Sequence, residues 1–205
     1  MIQVGLTGGI CTGKTFVLDI FKKLGCYTLQ ADELSQKIIF APDSEVAKSI
    51  VDTFGSGILN KATGEIDREL FSQMLFEDKA KRDFINGLVH PLVRAEREKL
   101  IKEIGKTSVY DIFVYESALL VESGIWRDFD AVVVVFAHAD EQIRRLMERN
   151  HLSRKEAESR IRSQFPLSEK LKVAQFTIDT TGSFEKAEAQ ALETYHFLRK
   201  RFNLD

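Results

Sequence analysis

Short apolar runs alternate with longer amphipathic stretches along this chain, and their spacing predicts a parallel α/β fold. Ile2 to Leu6 is the first run and reads as a strand. From Lys14 to about Leu24, Phe16, Ile20, Phe21 and Leu24 recur at helical spacing, and Gly25 stops the helix. Cys26 to Leu29 is a second, shorter strand, and Val109 to Tyr115 a third. Ala131 to Phe136 is apolar throughout, the pattern of a strand buried on both faces of a parallel sheet. Phe176 to Asp179 is a last short strand, and Ser183 to Arg201 a closing helix.

Between Asp32 and about Leu100 the pattern is helical with no buried strand, as for an insertion between strands two and three. Ser44 to Phe54 is one helix, Asn60 to Gly64 a turn, and Asp67 a cap for the next helix. His90-Pro91 is expected to open a further helix, because proline is tolerated at a first helical position. Asp140 to Arg149 is helical. Ser153-x-x-Glu156 is a capping box that starts another helix, to about Ser163, and Pro166 breaks the pattern. Alternating strands and helices imply helices on both faces of the sheet, with ligands at the C-terminal strand ends. Those ends carry Gly8 to Thr15, Asp32, Glu116 and Asp179.

Composition narrows the class. A chain of 205 residues, 44% hydrophobic, suits one large α/β core with an insertion. A net charge of -2 and a pI of about 6.1 leave no global basic field, which argues against nucleic acid as a partner. The two cysteines, Cys11 and Cys26, make no disulfide framework, and the N-terminus is strand rather than signal peptide. A cytoplasmic setting with no membrane partner is expected, since residues 131–137, the longest apolar run, are too few to span a bilayer.

The chemistry concentrates at Gly8-Gly9-Ile10-Cys11-Thr12-Gly13-Lys14-Thr15, a Gly-x4-Gly-Lys-Thr phosphate loop between strand and helix. Glycines let the backbone turn tightly toward phosphate oxygens. Exposed amides and the helix N-terminus make an anion site. Lys14 supplies a mobile charge for the β and γ phosphates, and Thr15 a hydroxyl for Mg2+. With Phe16 behind them, these residues are the expected nucleotide cradle of a P-loop NTPase-type sheet of about five strands.

Other candidates stand around that loop. Asp32 follows the second strand and reads as a proton acceptor, a Mg2+ contact through water, or the N-cap of the next helix. Glu116 ends the third strand, where a carboxylate can face the metal; Ser117 beside it can cap a turn instead. Arginines crowd residues 144–162. Glu141-Arg145, Arg144-Glu148, Glu156-Arg160 and Glu158-Arg162 have i,i+4 spacing, as on a solvated face. Arg149 has no such acid. Followed by Asn150-His151 and a newly capped helix, it suggests the hinge of a lid that brings arginines over a transferring phosphoryl group. His90 reads as structural, with a substrate contact left open. Thr180-Thr-Gly182 is the expected adenine contact, from its place at a sheet edge.

In this order the segments resemble the dephospho-CoA kinase family over nearly the whole chain. They are Val4 to Gly9 leading into Gly13-Lys14-Thr15, Ala31-Asp32, and Gly64-Glu-Ile-Asp67-Arg68. His90-Pro91-Leu-Val93 and Ala118-Leu-Leu-Val-Glu122-Ser-Gly124 follow, then Gln142-Ile-x-Arg145-Leu-x-x-Arg149 and Arg160-Ile-x-x-Gln164. The resemblance implies a core over residues 1–32, 105–140 and 172–205, a helical CoA domain over 33–104, and a lid over 141–171. It implies transfer from ATP-Mg2+ to the ribose 3'-hydroxyl of dephospho-CoA; apart from the resemblance, a monomer or small homo-oligomer is expected. Asp32 matches the family's aspartate that faces this hydroxyl, and Arg145 and Arg149 match lid arginines. Gln30 stands where the family has a second aspartate, Glu116-Ser117-Ala118 replaces Asp-Ile-Pro, and Gln175 stands where an aspartate often follows alanine.

Two other functions compete. A P-loop kinase of a nucleoside or nucleoside monophosphate would use the same core but needs less than the stretch from Glu33 to Leu100. A nucleotide-dependent switch would need neither a proton acceptor at Asp32 nor an arginine-rich cap.

Overall fold

A computed structural model describes residues 1–42 and 44–204, with Phe76 as backbone only. Strands β1 (Ile2–Gly8), β2 (Tyr27–Gln30), β3 (Ile112–Glu116), β4 (Ala131–Phe136) and β5 (Phe176–Asp179) form one parallel sheet in the order β2-β3-β1-β4-β5. Five strands occur where the apolar runs stand. β1 is central, and its register sets Leu6 beside both Glu116 and Val133. Every residue of β3 is buried, as are Ala131 to Val135 of β4. The apolar runs therefore lack polar alternation because helices cover both faces. The third strand starts later than its apolar pattern. Val109 is 70% exposed, and pairing begins only where Ile112 meets Ile2.

Helix α1 (Lys14–Lys23) buries Val17, Leu18, Ile20 and Phe21 on the sheet, while Phe16 is half-buried against the Phe184 ring at 5.0 Å. The closing helix α9 (Phe184–Arg201), capped by Ser183, adds Ala191 and Leu198 to the same core. Burial pushes the Cys26 thiol in that core up to about 12, so it carries no thiolate at neutral pH. Helices α6 (Ala139–Asn150) and α7 (Arg154–Arg162) pack together through Ile143, Leu146 and Ala157. The capping box at Ser153 and Glu156 closes as its spacing predicts. A short helix, α8 (Leu167–Leu171), follows Pro166 and leads to β5.

The chain divides by its internal contacts into two compact units, one of Met1–Gln30 with Ile104–Asp205, the other of Ala31–Glu103. The second is helical: α2 (Ala31–Ile39), α3 (Glu45–Phe54), α4 (Arg68–Glu77) and most of α5 (Lys79–Gly105). Ser44 and Asp67 cap α3 and α4 with their side chains. One expectation fails here. His90-Pro91 opens no helix; Pro91 lies inside α5. A proline interior to a helix loses one backbone hydrogen bond and crowds the carbonyl four residues back. The helix continues because Ile85, Val89 and Val93 are buried at four-residue spacing across it, so packing outweighs the local cost.

Candidate active site

The loop between β1 and α1 exposes its amides only if its carbonyl oxygens are satisfied elsewhere. Gly8 comes so close to β4 that a Cβ on it would stand 2.1 Å from the Val135 carbonyl oxygen. Only glycine fits. The Gly9 carbonyl accepts from Thr12 Oγ1 at 2.9 Å and from Lys14 Nζ at 3.0 Å, which folds the loop on itself. Cys11 has a φ of 55°, the left-handed region that side chains resist, at a cost of about 1 kcal/mol. Gly13, at φ 80°, starts α1 with Thr180 packed over it. Thr15, one residue into the helix, is exposed.

Two groups from distant segments brace the loop. Thr180, buried just past β5, donates its hydroxyl to the Thr12 carbonyl at 2.7 Å. Arg145 of α6 donates to the Thr180 carbonyl at 2.6 Å, to the Thr180 hydroxyl at 3.2 Å and to the Cys11 carbonyl at 3.4 Å. Its Nε is held by Glu141 at 2.7 Å. The guanidinium of Arg144, then that of Arg145, hold the Glu141 carboxyl down at about 2, so it stays ionised near neutrality. Thr180, expected against adenine, is thus enclosed under the phosphate loop.

Lys14 Nζ also lies 4.0 Å from Glu116 Oε1, and both side chains are nearly buried. Glu116 ends β3 with Leu6 of β1 on one side and Gln30 of β2 on the other. Asp32 lies two residues past Gln30 in the chain, exposed in the first turn of α2. It is not the N-cap: the helix begins at Ala31, directly from the strand, so the carboxylate is inside the first turn, where the helix dipole favours negative charge. Arg149, one turn after Arg145 on α6, is exposed and donates to Asn150 Oδ1 at 2.9 Å, with no acidic partner among the described residues. Arg144 by contrast is clasped by Glu141 and Glu148 at 2.7 and 2.8 Å. Gln175 donates its backbone N–H to Val132 and accepts from Val132 through Oε1 at 2.7 Å, extending the sheet edge.

The helical unit contains a separate cavity of about 580 Å3. Phe40, Val51 and Leu59 form apolar wall, and Lys48 and Arg68 stand on its polar side together with Asp52 and Glu65. Arg68 lies over the Phe40 ring at 4.5 Å and donates to Gln36 Oε1 at 3.3 Å. Periodicity gave no sign of this cavity, although Arg68 lies in a segment that carried the family resemblance.

A sequence model described as dephospho-CoA kinase matches residues 2–186. A protein of Geobacillus kaustophilus named dephospho-CoA kinase is 40% identical over 195 residues, covering 93% of this chain and 94% of its own. The crystal structure of TT1252 from Thermus thermophilus superposes with a TM-score of 0.77 at 28% identity, covering 95% of each chain. A dephospho-CoA kinase from Campylobacter jejuni gives 0.72 at 27% identity, covering 97% of each.

Lys14→Ala should leave the sheet folded and nearly abolish nucleoside triphosphate turnover. Losing the one point charge folded over the loop removes transition-state stabilisation on the order of a thousandfold in rate. Near-wild-type turnover by a folded Lys14→Ala protein would rule out the phosphate-loop assignment.

Proposed function

The chain belongs to the dephospho-CoA kinase family, and on that premise we propose which of its residues carry each part of the reaction. The activity is ATP-dependent phosphorylation of dephospho-CoA at its ribose 3'-hydroxyl, the last step of coenzyme A synthesis. The observation that carries the assignment of roles is the braced phosphate loop with Lys14 folded over it and a buried carboxylate 4.0 Å away.

The amides of Gly9 and of Cys11 to Thr15 and the Lys14 ammonium hold the phosphates of ATP, with Gly8 and Gly13 shaping the turn, Ile10, Cys11 and Thr12 supplying its body, and Phe16 supporting the first turn of α1. Phosphoryl transfer needs positioning and charge neutralisation more than covalent chemistry. Mg2+ fits this donor set. The Thr15 hydroxyl and the Glu116 carboxylate are hard oxygen donors, Asp32 is our proposed further contact through water, and the described residues contain no cluster of three His, Cys, Asp or Glu that would form a dedicated protein cage. These residues would hold magnesium, which would supply charge neutralisation at the β and γ phosphates.

Asp32 takes the proton of the attacking 3'-hydroxyl. Arg145 anchors the lid, residues 141–171, to the loop, and Arg149 brings free positive charge to the transferring group. Residues 33–104 receive the acceptor. Asp32 and Ile39 lie at opposite ends of α2, roughly 10 Å apart along the helix axis, and Ile39 lines the 580 Å3 cavity. That separation suits the part of dephospho-CoA beyond the ribose, with Lys48 and Arg68 facing its 5'-diphosphate. The remaining segments, 1–32, 105–140 and 172–205, form the nucleotide core. No helix among the described residues is long and apolar enough to cross a membrane; we place the reaction in the cytoplasm, where ATP and Mg2+ are abundant, and activity in the membrane-pellet fraction of lysed cells would count against it.

Asp32→Asn should lower kcat by at least a hundredfold while moving either KM less than threefold, because asparagine keeps the shape but takes no proton at neutral pH. A variant that only weakens binding would remove Asp32 from the proton-transfer role. Arg149→Ala should cost tenfold or more in kcat/KM, against less than twofold for the doubly clasped Arg144→Ala; equal small losses would return both arginines to a solvated face. Arg68→Ala should raise the KM for dephospho-CoA about tenfold and leave that for ATP within twofold. An unchanged dephospho-CoA KM would exclude the cavity as its subsite.

A further inference from the structure

Gln164 lies between α7 and α8, and its Oε1 accepts a hydrogen bond from the backbone N–H of Ile10 at 2.9 Å. Ile10 is the third residue of the phosphate loop. Its N–H is a donor, so the oxygen of the carboxamide must face it, which settles the orientation of the amide group. The two hydrogens of Nε2 then point away from Ile10, and no acceptor among the described residues takes them. The Lys14 ammonium, the charge that reads the β and γ phosphates, rests on Gly9, the residue next to Ile10. The Gly9 carbonyl and the Ile10 N–H belong to one trans peptide, so the Gln164 carboxamide and the Lys14 head group flank that peptide from its two opposite edges.

Its backbone is held rigidly. The N–H of Phe165, the next residue, donates to Glu122 Oε1 at 3.2 Å. Both carboxylate oxygens of Glu122 accept from Lys170 Nζ, at 2.6 and 2.8 Å, and the same ammonium donates to the Ala118 carbonyl at 2.8 Å. Lys170 is fully buried. A buried ion pair is a poor source of net stability but a strong constraint on geometry, since either partner alone would be stranded. This one fixes residue 165 to the turn that follows β3 and Glu116. Beside it a cavity of about 70 Å3 opens between Gly9, Thr12 and Gln164, with Ile161 and Leu167 in its wall, so the carboxamide borders a small space of mixed polar and apolar lining.

We propose that Gln164 is a further catalytic residue: with ATP on the loop, its Nε2 donates to a non-bridging oxygen of the terminal phosphoryl group, aimed there by the Ile10 amide and the Lys170–Glu122 pair. This rests on the assignment of the loop to ATP. A carboxamide suits the task. In the transition state charge spreads over the equatorial oxygens, and a neutral, preorganised donor stabilises that charge without binding the ground state as tightly as another cation would.

The test uses the full chain with Gln164→Glu and Gln164→Ala. Glutamate keeps an acceptor for the Ile10 N–H but replaces the donors with negative charge, so kcat should fall about a hundredfold or more. Alanine should cost about tenfold. Titration with Mg-ADP and with a non-hydrolysable Mg-ATP analogue supplies a second readout. In Gln164→Glu the analogue should lose at least tenfold in affinity and ADP, which lacks the terminal phosphoryl, less than twofold. Near-wild-type kcat in Gln164→Glu, or equal losses for both nucleotides, would overturn the proposal in favour of a purely structural contact. Lys14→Ala run in parallel separates the two readings. If it abolishes turnover and Gln164→Glu does not, only this inference fails; if it too is silent, the loop assignment fails with it.

Discussion

A backbone that offers its amides to an anion must dispose of its carbonyls, and that requirement governs the nucleotide core. The oxygens of Gly9, Cys11, Thr12 and Gly13 are taken by Thr12 and Lys14, by Arg145, by Thr180, and by the Val17 amide of α1. Two partners are local, one lies in the first turn of the helix the loop feeds, and two are brought from α6 and from just past β5. Were any missing, the loop would retain an unsatisfied polar group at a cost of about 1–3 kcal/mol, or rotate a peptide and lose an amide from the anion site.

The sheet order makes these partnerships reachable. With β1 central, its C-terminal end is flanked by those of β3 and β4, and β5 lies one strand further out. Glu116 and Thr180 therefore meet opposite sides of the same loop. The α6–α7 pair extends this arrangement through apolar contact: Ile10 and Cys11 pack against the cluster of Ile143, Leu146 and Ala157. Loop and pair share a small core, so a movement of one disturbs the other. Arg145 and Gln164, polar ties between the same two parts, cross at the edges of that core.

Where local chemistry is decisive, reading the residues succeeds. The apolar runs mark all five strands, since a parallel strand buried on both faces cannot alternate. Asp67 and Ser153 cap the helices they precede, because a cap depends on residues within one turn. Local rules mislead where packing or continuity overrides them. Pro91 reads as a helix start, yet the buried face of α5 carries the helix through it. Asp32 reads as a cap, yet β2 runs into α2 without an intervening residue, which places it inside the first turn. Val109 has the apolar character of strand three but no neighbour to pair with.

The sequence by itself determined the fold class, the phosphate loop and the carboxylates at the strand ends, because each is written in contiguous residues whose spacing matches a backbone period or turn. Only the tertiary structure decided what braces that loop. Thr180 and Thr12 are 168 residues apart, Ile10 and Gln164 154, and Lys170 and Glu122 48. No periodicity spans such separations. A threonine after a short strand, a glutamine after a helix and a lysine in a polar stretch look like many others. Their partners are chosen by chain crossovers that bring remote backbone carbonyls, amides and carboxylates within 3 Å, and that choice exists only once the sheet has formed.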